Sequence, residues 1–281
     1  MSILSRLPWI LAIVLILPGC SSDAIQDDPD TDEAPVTEGT WGRPATTNSW
    51  YWQLQGNVFS EEPVDVYVVD LFATSVQEIG RLKAGSRKVL CYFSAGSYGP
   101  GDPDAESIHS DDLGSAIPGT NKERWLNVRS ARLRAVMSAR LETARTKGCT
   151  GVVPGRADNY LYNTGFTVNA THQLTYSRWL YNEAHRLHLT VGLVNNGGQV
   201  APLLEYVDFA VAERCQERGD CALFTPFIQA SKPVFNAEYK AQYATDSAAR
   251  QAMCTAAKAA NFRTVVLSPA LDGSVRFSCD S

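Results

Sequence analysis

Residues 64–71 read VDVYVVDL and residues 207–213 read VDFAVAE. Each is a short, nearly continuous apolar run that ends at an acid, Asp70 or Glu213. Runs of this kind suit strands buried on both faces, as in parallel sheets flanked by helices. Working outward, similar runs recur at Tyr51–Leu54, Val89–Ser94, Gly151–Pro154, Thr190–Asn195, Pro233–Glu238 and Thr264–Ser268. That makes eight, and many of the gaps between them can hold a helix. The pattern predicts an α/β fold, a (β/α)8 TIM barrel in a single domain, with functional groups where the strands end. Asp70, Glu213 and Glu238 stand at run ends and Asp158 just beyond the fourth run.

The helices are legible too. Ser130–Lys147 sets Leu133, Met137, Leu141 and Ala144 on one stripe, with Gly148 placed to end the helix. His172–His188 turns Leu180, Ala184 and Leu187 inward, and Asp246–Ala260 forms a third helix before the last strand. The stretch Ser97–Asn127 is long for a connection and rich in Gly, Pro, Ser and Asp. It follows the third strand, so it is expected to fold over the barrel mouth, where long loops usually carry function.

The N-terminus is organised differently. Arg6 is followed by apolar Leu7–Leu17 and by Leu17-Pro18-Gly19-Cys20. That apolar stretch falls short of the roughly 20 residues that span a bilayer. It reads as a secretory signal. Residues 1–20 resemble a bacterial lipoprotein signal with Cys20 as the lipidated residue; an ordinary signal with an incidental Cys is the plainer alternative. Residues 21–40 carry seven acids and no base and are expected to be a disordered acidic tether. Residues 41–281 are the barrel. Without residues 1–40 the 25 bases become 24 and the 30 acids become 23, so the folded part is nearly neutral. It has no basic stripe, which argues against nucleic acid as a partner.

Six cysteines remain beside Cys20. An even number in an exported chain suggests disulfides. Cys215 and Cys221 enclose a short polar loop and are expected to pair. Cys254 and Cys279 would tie the last helix to the C-terminal tail. Cys91 and Cys149 could pair or remain buried thiols. There is no Cys-x-x-Cys or His-Glu-x-x-His spacing, so no metal is expected, and no cofactor loop is seen. His185 and His188 are read as surface or capping residues. What remains is carboxylates with aromatics: Trp41, Trp50, Trp52, Trp125, Tyr92, Tyr98 and Tyr160. Aromatic faces beside acids suit sugar rings, although about half of these aromatics are expected to be core.

Several stretches together resemble the endo-α-1,4-polygalactosaminidases of glycoside hydrolase family 114. They include Trp52-Gln53-Leu54, Val68–Phe72, Cys91–Tyr98, Arg124-Trp125-Leu126, Asp158, Tyr160, Gly165-Phe166, Asn195, Ala212–Cys215, Lys232–Phe235 and Glu238-Tyr239. The resemblance implies a TIM barrel that cleaves galactosamine-containing exopolysaccharide with a carboxylate pair. It places Glu213 and Asp158 as the catalytic pair. Asp70, Glu238, Asn195, Tyr92, Ser94, Trp52, Tyr160 and Trp125 would bind substrate. The chain departs from the family pattern at the end of the fourth strand, which reads Val153-Pro154-Gly155-Arg156-Ala157-Asp158 in place of Glu-Pro-Asp-Asn-x-Asp. Val194 replaces a Lys, Gly99 an acid and Asn127 an Asp.

Two functional readings follow. One is an exported, membrane-anchored bacterial lipoprotein of the periplasm or cell surface that acts as a monomeric glycoside hydrolase. The other is a catalytically impaired surface lipoprotein that binds carbohydrate without cleaving it. In both, contact with the membrane is through the lipid anchor only.

Overall fold

The computed structural model describes residues 33–57 and 63–280. The signal segment, Cys20 and the tether up to residue 32 lie outside the described residues. Eight parallel strands follow one another in chain order. They are β1 (Trp50–Gln53), β2 (Val66–Asp70), β3 (Lys88–Ser94), β4 (Gly151–Gly155), β5 (Thr190–Val194), β6 (Phe209–Glu213), β7 (Val234–Glu238) and β8 (Arg263–Leu267). Each pairs with the next in parallel register. All lie within two residues of the apolar runs. A ninth strand, β9 (Arg276–Ser278), runs antiparallel along β8. The sheet curls so that its ends meet: the Trp50 indole N–H donates to Arg263 O at 2.8 Å, and Leu54 N donates to Leu271 O at 2.8 Å. The fold is a (β/α)8 barrel of the TIM type.

Helix α1 (Val76–Leu82) follows β2, α2 (Ala131–Lys147) precedes β4, α3 (Ala170–Arg186) precedes β5 and α4 (Ser247–Ala259) precedes β8. Their ends are set by local chemistry. The Ser130 hydroxyl caps α2, and Gly148 closes it at φ 86°, a left-handed conformation favoured by glycine. Asn169 and His172 form a reciprocal capping box on α3, and Asp246 caps α4. Helix α3 thus begins two residues before the predicted start. On the α2 stripe Leu133, Met137, Leu141 and Ala144 are buried, as the spacing predicts.

Arg140 lies on that same stripe and is 1% exposed. Its guanidinium donates to Asp104 at 2.8 Å, to Asp102 at 3.0 Å and to Ser94 O at 2.7 Å. It thereby pins residues 97–127, which carry a small antiparallel sheet (Ser97–Tyr98, Leu113–Ala116 and Arg124–Leu126), beside the ends of β3 and β4. Burial raises the Asp102 carboxyl even though Arg140 opposes the shift.

Three disulfides staple the fold. Cys215–Cys221 and Cys254–Cys279 form as expected, and Cys91–Cys149, which the sequence left open, joins β3 to the start of β4. Closing its loop of 58 residues removes about 4 kcal/mol of unfolded-chain freedom in the chain-entropy model.

The expected tether boundary at residue 40 needs correction. From Glu33 the chain is hydrogen-bonded to the barrel. Tyr206 donates to Glu33 O at 2.6 Å, and Asn182 bonds both Ala34 O and Val36 N at 2.9 Å. Trp41, one of the aromatics weighed for the groove or the core, stacks on His185 with centroids 4.2 Å apart. His185 is not a surface residue: it is buried and bonds Asp208 at 3.0 Å. Asp208 also accepts from Trp41, Arg43 and Thr190 at 2.8–3.0 Å. Asp208 directly precedes β6 and Thr190 begins β5, so this strap lies under the N-terminal end of the barrel, opposite the mouth.

Candidate active site

At the C-terminal mouth the chain turns sharply after three consecutive strands. Arg156 after β4, Asn195 and Asn196 after β5, and Arg214 after β6 all have φ between 49° and 58°. Such conformations are uncommon for residues other than glycine, and Asn tolerates them better than Arg. These turns frame a cleft of about 340 Å³ whose charged lining is Asp158, Glu213, Arg156, Arg214 and Arg218. Trp52, Tyr92 and Tyr162 supply its aromatic walls. A larger groove of about 770 Å³ lies by α4 and β9; its one carboxylate, Asp280, is paired with Arg263 at 3.0 Å. The mouth cleft holds two carboxylates at the C-terminal ends of the strands, so it is the candidate.

Glu213 is held on both oxygens. Asn195 Nδ2 donates to Oε2 at 2.9 Å, and the Tyr239 hydroxyl donates to Oε1 at 2.8 Å. The Asn195 side-chain Oδ1 accepts from Glu213 N at 2.9 Å, which locks the two residues reciprocally. Burial and the adjacent Glu213 raise the Tyr239 phenol well above its ordinary range, so it remains a donor. Asp158 is different: burial raises its carboxyl, Arg156 lowers it and Glu213 raises it further. One acid is therefore fixed by donors and the other is inclined to hold a proton.

The corner at β4 is built around an absence of side chain. A Cβ added to Gly155 would lie 2.4 Å from Tyr92 Oη and 2.5 Å from Cε2 of the same ring. The Tyr92 ring thus takes the space that a side chain at position 155 needs. Its phenol is buried and pushed upward, first by burial and then by Glu213.

The other predicted residues divide. Asp70 and Ser94 lie not in this cleft but in a smaller neighbouring one of about 160 Å³, which shares Tyr92 and Arg156 with it. Asp70 Oδ1 accepts from Phe72 N at 2.8 Å and Ala73 N at 2.7 Å, closing the turn after β2. Tyr160 donates to Asn196 Oδ1 at 3.0 Å and braces the β5 turn. Trp125 is buried in the small antiparallel sheet of residues 97–127, the lid sheet, and stacks under the exposed Tyr162 with centroids 4.7 Å apart.

Glu238, expected to meet substrate, does not reach the cleft. Ala237 is in register with Glu213, so Ala237 shares its face and Glu238 points to the other, toward the helix layer. There it is fully buried and accepts from Gln216 N at 2.8 Å and from Asn236 Nδ2 at 3.1 Å. Trp50 is core, packed 5.2 Å from Phe235, and Tyr98 belongs to the lid sheet. Sequence reasoning missed Tyr239, Tyr162, Arg214 and Arg218. The two arginines did carry a signal, since they bracket Cys215 beside the disulfide loop. Among the described residues no group of three or more His, Cys, Asp or Glu is gathered to hold a metal.

The model of glycoside-hydrolase family GH114 matches residues 31–281. The chain belongs to that family. No curated protein sequence matches it. Among solved structures it is similar to Aspergillus fumigatus Ega3, determined in complex with galactosamine. The identity is 31% over 86% of this chain and 99% of that one, with a TM-score of 0.82. The glycoside hydrolase domain of PelA from Pseudomonas aeruginosa shares the fold at 13% identity. It covers 82% of this chain and 97% of that domain, with a TM-score of 0.63.

Proposed function

We propose that this GH114 member is an exported glycoside hydrolase that acts on an amino-sugar polysaccharide through Glu213 and Asp158. The observation that carries the reading is Glu213, fixed on both oxygens at the cleft that Asp158 also lines. Glycosidases of the usual type divide their work between two carboxyl groups, one a proton donor and one ionised. Asp158, inclined to keep its proton, suits the donor to the leaving glycosidic oxygen. Glu213, positioned by a donor on each oxygen, suits the nucleophile or the base that activates water. Tyr162, half exposed at the cleft, offers an apolar face on which a sugar ring stacks. Similarity to a structure holding galactosamine supports the amino-sugar class.

Three disulfides favour an oxidising compartment. A lipid on Cys20, followed by a strap seated under the barrel, would leave the mouth facing away from the membrane. The protein would then work as a monomer at the surface or in the periplasm.

One observation favours the second reading, a barrel that binds sugar without cleaving it. Tyr92 fills the place where the family resemblance puts an acid at position 155. Digestion of amino-sugar polymers, α-1,4-polygalactosamine among them, separates the two. New reducing ends that vanish in Glu213→Gln support the hydrolase; retention of polymer without cleavage supports the binding protein.

A further inference from the structure

The charge of the cleft does not suit a purely cationic chain. Three guanidinium groups line it against two carboxylates. Of the two carboxylates, Glu213 already has both oxygens bonded to Asn195 and Tyr239. Two of the three arginines lack a close carboxylate. Arg156 reaches its nearest carboxylate, Glu123, only at 3.9 Å. Arg214 has no ion pair among the described residues and rests over the Tyr239 ring at 5.3 Å. Arg218 is paired at 2.9 Å, with Asp220 on the rim. The three guanidinium groups are all donors, and they share one cleft.

A planar guanidinium matches a carboxylate or sulfate by paired hydrogen bonds, and such charge-assisted bonds are about twice as strong as neutral ones. A protonated amino sugar meets three like charges there against two carboxylates. Resting on the reading of this cleft as a saccharide site, we propose that it selects a polymer in which amino sugars are accompanied by anionic sugars, hexuronate or sulfated hexose. The anion would sit against Arg156 and Arg214, with Glu213 and Asp158 left for the glycosidic bond. Arg156 and Arg214 are then specificity-determining residues rather than catalytic ones.

The test is titration calorimetry of the full chain with four oligosaccharides of equal length: oligogalacturonate, a sulfated oligohexose, oligogalactosamine and its fully N-acetylated form. Melting curves confirm folding of each variant. The expected result is binding of one anionic oligomer at least about tenfold tighter than oligogalactosamine at low salt. The galacturonate and sulfate arms identify which anion the cleft takes. Arg156→Gln combined with Arg214→Gln should abolish that preference, and Lys at both positions should restore part of it. Tighter binding of oligogalactosamine, or a preference that the double variant leaves intact, overturns the inference while leaving the hydrolase reading in place. No binding of any of the four overturns both.

Discussion

The ends of β6 and β7 read alike, Val-Ala-Glu and Asn-Ala-Glu, and their glutamates have opposite fates. Glu213 opens into the cleft and is held by two side-chain donors. Glu238 turns outward and is consumed by Gln216 N, at the start of the helix Cys215–Arg218, and by Asn236 of its own strand. The cause is the pairing of Glu213 with Ala237: a register offset of one residue reverses the face a side chain occupies. An acid at the end of a barrel strand is therefore a candidate for chemistry only once the register is known. Glu213 is further distinguished by neighbours from three elements: Asn195 after β5, Tyr239 after β7 and the disulfide loop just beyond it.

This contrast can be broken most severely from the side of Asp158. On the proposed chemistry, Asp158→Asn removes the proton donor and should lower kcat about 10²- to 10⁴-fold on a substrate with a poor leaving group. The loss should shrink with an activated leaving group such as an aryl glycoside, which needs no protonation. In the wild type the raised Asp158 carboxyl predicts activity that falls as pH rises through its titration, because the donor form is then lost. A pH–rate profile lacking that alkaline limb would argue against Asp158 as donor.

Changes at the two crowded positions should act on stability instead. Gly155→Asp forces its Cβ against the Tyr92 ring and should cost about 1–3 kcal/mol, with no gain in activity. Combined with Tyr92→Ala, most of that cost should disappear, a coupling that a double-mutant cycle measures. Additive costs would mean that Tyr92 is not the obstacle. Glu238→Ala should cost about 1–3 kcal/mol by leaving buried donors unsatisfied. Its effect on turnover should be small and should follow only from disorder at Arg214 and Arg218. A rate loss equal to that of Glu213→Gln with an unchanged Tm would refute the outward assignment of Glu238.

The smallest effect lies at the far end of the barrel. Burial alone would raise Asp208, but its bonds to His185, Trp41 and Thr190 hold it down at about 2. Its folded value lies below the unfolded one, so its stabilisation is present above about pH 4 and is lost as pH falls toward 2. It amounts to about 2 kcal/mol. Asp208→Asn should therefore narrow the difference in Tm between pH 5 and pH 2.5, while leaving cleavage at neutral pH unchanged. An undiminished difference would remove the strap from the acid response.

Much of this was legible in the chain. Parallel strands buried on both faces leave an apolar run, and all eight runs became strands. The α2 stripe was readable from its spacing. What the spacing hid was Arg140, since an arginine on an apolar stripe can be buried only when acids such as Asp102 and Asp104 come from elsewhere in the chain. In the site, Glu213 was visible as an acid at a strand end, but so was Glu238, and only register separates them. Trp41 was visible as an aromatic, but its place under the barrel depends on His185 and Asp208, more than 140 residues away. The crowding of Gly155 by Tyr92 is likewise a contact between neighbouring strands, invisible to any local pattern.

The central claim is that Glu213, and not its look-alike on the next strand, drives chemistry at the mouth. It is tested most directly by measuring reducing ends released from amino-sugar polymers by the wild type, Glu213→Gln and Glu238→Gln, alongside the Tm of each. The account predicts cleavage by the wild type, a loss of about 10²-fold or more in Glu213→Gln with Tm nearly unchanged, and near-normal turnover in Glu238→Gln. Cleavage by the wild type that persists undiminished in Glu213→Gln would contradict it.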